Sequence, residues 1–212
     1  MSRRLGQHFL RPASVERLLR IVAPRKEEVF IEIGAGTGSL TFPLARRCRR
    51  VTAIELDRRL VEVMKRRAPD NVEILQGDAL SLDLAGLADQ GARLVGNLPY
   101  AISSPLMRRL LDLRRQLIDM HVMLQEEVAE RLAAAPGSKD YGILTVLFGL
   151  WAELDLPLRF SPGCFQPPPA VRSALLRVRY LTRPRYAVAD MAGFEVLVTR
   201  AFAWRRKTLE NN

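Results

Sequence analysis

The sequence predicts an α/β domain built on a mostly parallel, seven-stranded, Rossmann-like sheet with helices on both faces. Three observations carry that expectation. Short apolar runs alternate with amphipathic stretches from residue 29 onward, a glycine cluster at 34–38 separates the first run from a helical pattern, and two late apolar stretches flank a proline-rich loop. Taken in order, Val29-Phe30-Ile31-Glu32-Ile33 reads as a buried strand, 39–48 as a helix, 51–55 as the second strand and 56–67 as a helix with Leu60, Val61 and Met64 on one face. Residues 72–75 and 93–96 give the third and fourth strands. A helix follows over 103–115, with Ser103 or Ser104 as cap and Pro105 in its first turn. Residues 118–124 form the fifth strand and 125–135 a helix closed by Pro136-Gly137. The pattern then changes: 154–158 and 174–180 read as a sixth and seventh strand, paired as a hairpin at one edge.

A chain of 212 residues with 48% hydrophobic and 26% charged residues is an ordinary globular composition, which excludes disordered and collagen-like chains. No apolar run approaches the roughly 20 residues of a membrane-spanning helix. The N-terminus lacks the apolar core of a secretory signal, and the two cysteines are too few for a disulfide framework, so a cytoplasmic protein is expected. The net charge of +10 is placed unevenly. Residues 1–20 hold five Arg and one Glu (+4), and residues 172–212 hold nine Lys+Arg against three acids (+6), leaving a neutral body. Two basic ends on a neutral body suit a polyanionic partner, and Arg suits phosphate contacts better than Lys. An Arg-rich surface kept for solubility has the same composition.

The loop Gly34-Ala35-Gly36-Thr37-Gly38 leaves a strand and opens a helix, where open α/β sheets bind nucleotides. Glu55 ends the next strand, 21 residues beyond Gly34, where a carboxylate can accept from both ribose hydroxyls. The spacing G-x-G-x-G is not the dinucleotide fingerprint, so an adenosine-containing cofactor without a pyrophosphate, S-adenosylmethionine, fits best. Asp78, after the third strand, would face the adenine amino group; an N-cap role for the turn after Leu80 competes with that reading.

Asn97-Leu98-Pro99-Tyr100 follows the fourth strand at the same sheet edge. An aromatic amine is a poor nucleophile because its lone pair is delocalised. Two acceptors, the Asn97 side-chain oxygen and the Leu98 carbonyl, would hold its hydrogens and favour the pyramidal nitrogen of the transition state. Pro99 fixes the backbone, and Tyr100 offers a face on which a base can stack. Phe165 precedes Pro167-Pro168-Pro169; it could present a second face, but on residue types alone it reads as a core plug beneath the loop. His121 reads as a buried, hydrogen-bonded side chain and Met120 and Met123 as core, and no metal is expected.

These motifs, with Gly6-Gln7-His8-Phe9-Leu10 at one end and Arg205-Arg206-Lys207-Thr208-Leu209 at the other, resemble the KsgA-type small-subunit ribosomal RNA adenine N6-dimethyltransferases over nearly the whole chain. The resemblance implies a class I methyltransferase fold. It also implies transfer of methyl groups from S-adenosylmethionine to N6 of two adjacent adenosines in the 3′-terminal hairpin loop of 16S rRNA. By position, His8, Leu10, Gly34, Gly36, Glu55, Asp78 and Asn97 would bind the cofactor. Asn97, Leu98, Pro99 and Tyr100 would form the catalytic loop, with Phe165 stacking on the other side of the target base. The family commonly has Asn where this chain has His8. Residues 1–182 would form the catalytic domain, opening with a basic arm and lead-in helix over 1–28. Residues 183–212 would begin a C-terminal helical domain expected to be largely absent. The partner implied is the small ribosomal subunit, met as a monomer through the basic terminal segments. Two alternatives stay open: a large-subunit rRNA adenine methyltransferase conferring antibiotic resistance, and a non-catalytic rRNA-binding assembly factor.

Overall fold

The computed structural model describes residues 7–88 and 91–203. The basic residues among 1–6 and the Arg205-Arg206-Lys207 run therefore lie outside the described residues. The elements in chain order are β1 (Phe9–Leu10), α1 (Pro12–Val22), β2 (Val29–Ile33), α2 (Thr41–Ala45), β3 (Arg50–Glu55) and α3 (Arg58–Lys65). Next come β4 (Val72–Gln76), α4 (Leu84–Leu87), β5 (Ala92–Asn97), α5 (Ser103–Asp112), β6 (Leu117–Gln125) and α6 (Glu126–Leu132). The remainder are α7 (Ile143–Trp151), β7 (Ala152–Phe160), β8 (Phe165–Gln166), β9 (Ser173–Tyr180) and α8 (Met191–Ala201).

Seven strands form one sheet in the order β4-β3-β2-β5-β6-β9-β7. The pairs among β4, β3, β2, β5 and β6 are parallel, whereas β9 runs antiparallel to both neighbours. The predicted edge hairpin is therefore present, with β9 inserted between β6 and β7. Its register slips between Asp155 and Leu158, at Pro157, which has no N–H to give the ladder. A second, two-stranded sheet pairs β1 with β8 and ties the N-terminal segment to the proline loop.

Strand β2 is buried along its whole length because helices cover both faces, hence its unbroken apolar run. Ile31, Ile33, Leu94 and Met120 pack on one side with α5, α6 and α7; Phe30, Val51, Val95 and Met123 pack on the other with α1, α2 and α3. Helix α1 buries Val15, Leu18, Leu19 and Val22, the i, i+3, i+4, i+7 stripe of a surface helix. The stretch 39–48, expected to be one helix, is helical only over α2. The chain tightens after it, with Arg47 N–H bonding Leu44 O, and side chains satisfy the free carbonyls beyond: Lys26 donates to Arg46 O, and Asn71 donates to Ala45 O and Cys48 O.

Arg93, His121 and Glu32 are among the buried polar side chains of the described residues. Arg93, 7% exposed, makes a bidentate pair with Asp119 (2.9 and 2.8 Å), a bond to Glu28 (2.9 Å) and a bond to Val22 O (2.8 Å). His121 is buried as expected but not hydrogen-bonded through Nδ1, which lies 3.7 Å from Asp119. Burial presses its pKa down to about 4. Glu32 on β2 is 2% exposed, its Oε2 has no hydrogen-bond partner, and burial, reinforced by the Glu55 charge, pushes its pKa up to about 8.

Replacing Arg93 with Met strands the Glu28 and Asp119 carboxylates, and denaturant unfolding should register a loss of about 3 kcal/mol or more. The two shifted groups act oppositely on pH dependence. Glu32 holds its proton more firmly in the folded chain, so its stabilising contribution is complete below about pH 4.5 and is lost as pH rises through about 8. The His121 contribution is complete above pH 6.5 and is lost as pH falls toward about 4. Between pH 6.5 and 8 the His121 contribution is constant and only that of Glu32 changes, so the parent should lose stability relative to Glu32→Gln across that interval; a constant difference contradicts the assignment.

Candidate active site

Strand β2 has β3 on one side and β5 on the other, so successive crossovers leave it in opposite directions and a crevice opens at the carboxyl ends of the strands. The glycine loop leaves β2 there, and Asn97 ends β5 beside it, because Ile33 and Gly96 are register partners. The crevice is lined by Gln7, His8, Phe9, Gly34, Gly36, Glu55, Asp78 and Asn97 to Tyr100, with apolar cover from Ile54, Leu56, Ala79 and Ile102. Thus of the eleven predicted site residues, nine are brought together; Leu10 and Phe165 are not.

On the glycine-loop side, Gly34 takes φ +75°, and a Cβ there would stand 3.1 Å from Asn97 O. Glu55 arrives from the end of β3. One carboxylate oxygen accepts from the Gly36 N–H (2.7 Å) and the other from the Asp57 N–H (2.9 Å), which fixes the group across the mouth of the loop. Each oxygen keeps acceptor capacity for a ligand hydroxyl. Asp78 lines the crevice and one of its oxygens accepts from Leu80 N–H (2.9 Å) in a turn; the helix that follows, α4, is capped by Asp83 instead. A narrow cleft with glycine backbone below, a paired-acceptor carboxylate at one end and Ile54, Leu56, Ala79 and Ile102 around it matches an adenosine bearing an amino-acid chain.

The opposite wall is the Asn97 loop. Asn97 Nδ2 donates to the carbonyl of His8 at 2.6 Å. A carbonyl only accepts, so the amide nitrogen is fixed on that side and Oδ1 is turned to the other. Leu98 is buried and its N–H bonds Met123 O (3.1 Å); Ser103 Oγ donates to Pro99 O (3.1 Å). The Tyr100 hydroxyl shares a 2.8 Å hydrogen bond with Ser173 Oγ on β9, a residue that no local sequence signal marks. The His8 imidazole lies against the Tyr100 ring with centroids 6.0 Å apart and planes inclined by 27°, and its Nδ1 bonds Pro167 O at 2.9 Å.

Two expectations need correction. Phe165 is fully buried and packs edge-on against Phe160 (6.4 Å, 66°), so its ring does not face the crevice. Leu10 is also buried, and borders a separate groove with Pro12 and Val15. The two are direct partners in the β1–β8 ribbon and must point to the same side, into the core. Phe9, one residue earlier, points the other way and packs over Gly36, within 2.6 Å of where a Cβ would stand; alternation along β1 could have found it. Among the described residues no group of three His, Cys, Asp or Glu is placed to hold a metal ion.

The family model described as "Ribosomal RNA adenine dimethylase" matches residues 1–212. A ribosomal RNA small subunit methyltransferase A from Syntrophus aciditrophicus is 43% identical over 217 residues, covering 99% of this chain and 78% of that protein. Among solved structures, a dimethyladenosine transferase from Plasmodium falciparum superposes with a TM-score of 0.83 at 28% identity, over 96% of this chain and 74% of that one. The 23S rRNA methyltransferase ErmE gives 0.73 at 25% identity, over 95% and 82%. With the glycine loop and the Asn97 loop meeting in one crevice and the whole length matched, the chain belongs to the ribosomal RNA adenine dimethylase family.

Proposed function

We propose that this chain dimethylates N6 of two adjacent adenosines in the 3′-terminal hairpin loop of 16S rRNA, using S-adenosylmethionine, as a step of ribosome biogenesis. The observation that carries the reading is the orientation of Asn97. Its amide nitrogen is spent on His8 O, so its oxygen is the group available to an amine in the crevice. The small-subunit assignment is supported by the name and 43% identity of the Syntrophus relative.

The cofactor would be held by the backbone of His8 with Gly34, Gly36, Glu55, Asp78 and Asn97, and Gln7 and Phe9 close the near side. When bound, S-adenosylmethionine supplies an electrophilic methyl group. The chain's own contribution is positioning. Asn97 Oδ1 and the Leu98 carbonyl accept the two N6 hydrogens and hold the nitrogen toward the donor in a geometry that favours its lone pair. Tyr100, held by Ser173, supports the flat face of the base; Pro99 fixes the backbone of the loop. The target adenine must leave its stack to reach this position.

Residues 1–182 then form the catalytic domain, and the segment from 183, including α8, begins a C-terminal helical region. The +4 and +6 charge of the terminal segments suits docking on rRNA phosphates, and a cytoplasmic monomer fits a ribosomal substrate. Among the described residues no helix is long and apolar enough to cross a membrane.

Incubation with a labelled methyl donor and small or large ribosomal subunits lacking their adenine methylation, followed by mapping of the modified nucleotide, tests the reading. Label on two adjacent small-subunit adenosines is expected. Label on the large subunit would move the chain toward the 23S rRNA methyltransferase activity of ErmE, and cofactor binding without transfer to either subunit would make it an assembly factor. Asn97→Ala should lower methyl transfer at least about 100-fold while calorimetry shows cofactor binding weakened far less.

A further inference from the structure

We infer that the His8 imidazole is the second stacking face for the target adenine, opposite Tyr100, the place that sequence resemblance assigns to Phe165. The inference rests on the rRNA adenine reading above and adds a positioning residue to it. Phe165 cannot take that place in this structure, since its ring is buried against Phe160 on the core side of the β1–β8 ribbon. His8 can. It is the aromatic side chain whose plane lies nearly parallel to Tyr100, both rings line the crevice that contains Asn97, and the His8 carbonyl itself orients the Asn97 amide.

The spacing fits a clamp that opens slightly. A planar base sandwiched between two rings needs about 7 Å between them, twice the ~3.5 Å contact distance of carbon atoms. The centroids stand 6.0 Å apart, so a separation of about 1 Å admits the base. Each ring is tethered from behind by its own anchor: Tyr100 by Ser173 on β9 and His8 by Pro167 in the loop before β9. Those anchors keep both planes upright when the rings part. The Pro167 bond also leaves Nδ1 as the donor, so the imidazole keeps a flat, unencumbered ring whichever state Nε2 is in. Asparagine, the family's common residue at this position, can offer a backbone carbonyl to Asn97 but no such face.

The test compares the unaltered chain with His8→Ala, His8→Asn and His8→Phe. S-adenosylhomocysteine affinity is read by calorimetry, and kcat/KM is read on small subunits lacking the modification. Retained S-adenosylhomocysteine binding also reports that each variant is folded. Loss of one stacking face should lower kcat/KM roughly ten-fold in the Ala and Asn variants, chiefly through KM, while Phe restores it to within about three-fold. Affinity for S-adenosylhomocysteine should stay within about two-fold throughout. A Phe variant no better than Asn, a cofactor affinity that falls in step with activity, or an Ala variant faster than the parent each overturns the inference. Transfer by the unaltered chain with no aromatic dependence at position 8 overturns the inference alone. Absence of transfer by the unaltered chain to any rRNA overturns the functional reading and the inference with it.

Discussion

The ends of β2 and β5 approach so closely that side chains are excluded between them: a Cβ on Gly96 would stand 2.6 Å from Ile33 O, and one on Gly34 3.1 Å from Asn97 O. This contact puts the glycine loop and the Asn97 loop against each other rather than on neighbouring parts of a surface. A methyl transfer needs donor and acceptor held at contact distance, and here the spacing of the two loops that would hold them is set by backbone contact. The switch in strand order at β2 opens the crevice, and the absence of two Cβ atoms narrows it to one molecule's thickness.

The orientation of Asn97 depends on a segment that is not part of the main sheet. Residues 8–11 are sewn to 164–167 by β1–β8 pairing, by Arg11 N–H to Cys164 O (2.9 Å), by the Arg11 guanidinium to Gln166 Oε1 (2.9 Å) and by His8 to Pro167. The His8 carbonyl therefore meets Asn97 from a braced ribbon. An amide whose nitrogen is already bonded before substrate arrives needs no reorientation during reaction, which is the condition under which a dipole contributes most to the barrier.

Much of this was legible in the sequence, for identifiable reasons. Strands buried on both faces show as apolar runs, and β2, β3, β5 and β6 fall where those runs lie, while the edge strand β4 alternates buried and exposed residues. The glycine loop, Glu55, Asp78 and Asn97 are local signals attached to strand ends, so placing the strands placed them. What was not legible depends on which way a side chain faces. Leu10 and Phe165 were carried over by position, but a two-stranded ribbon alternates faces, and its register puts this pair in the core and Phe9 in the crevice. Ser173 shows nothing in its neighbourhood to mark it as the partner of Tyr100, because the pairing spans 73 residues. Helix α7 is apolar nearly all round, so its run carried no helical period to read.

The two halves of the crevice are built by different parts of the sheet. Glycine loop, Glu55 and Asp78 hang from the parallel strands β2, β3 and β4, whereas Ser173 and Pro167, the anchors behind Tyr100 and His8, belong to the antiparallel β9 and the loop leading into it. A displacement of the β9 edge would thus move the two rings proposed to face a substrate while leaving the residues proposed to hold the cofactor in register. The crowded β2–β5 junction opposes the reverse, because shifting the glycine loop drives backbone into the Asn97 carbonyl. On the proposed assignment, affinity for the nucleic acid can therefore vary through the edge hairpin and the proline loop while the glycine loop and the Asn97 loop keep their mutual spacing.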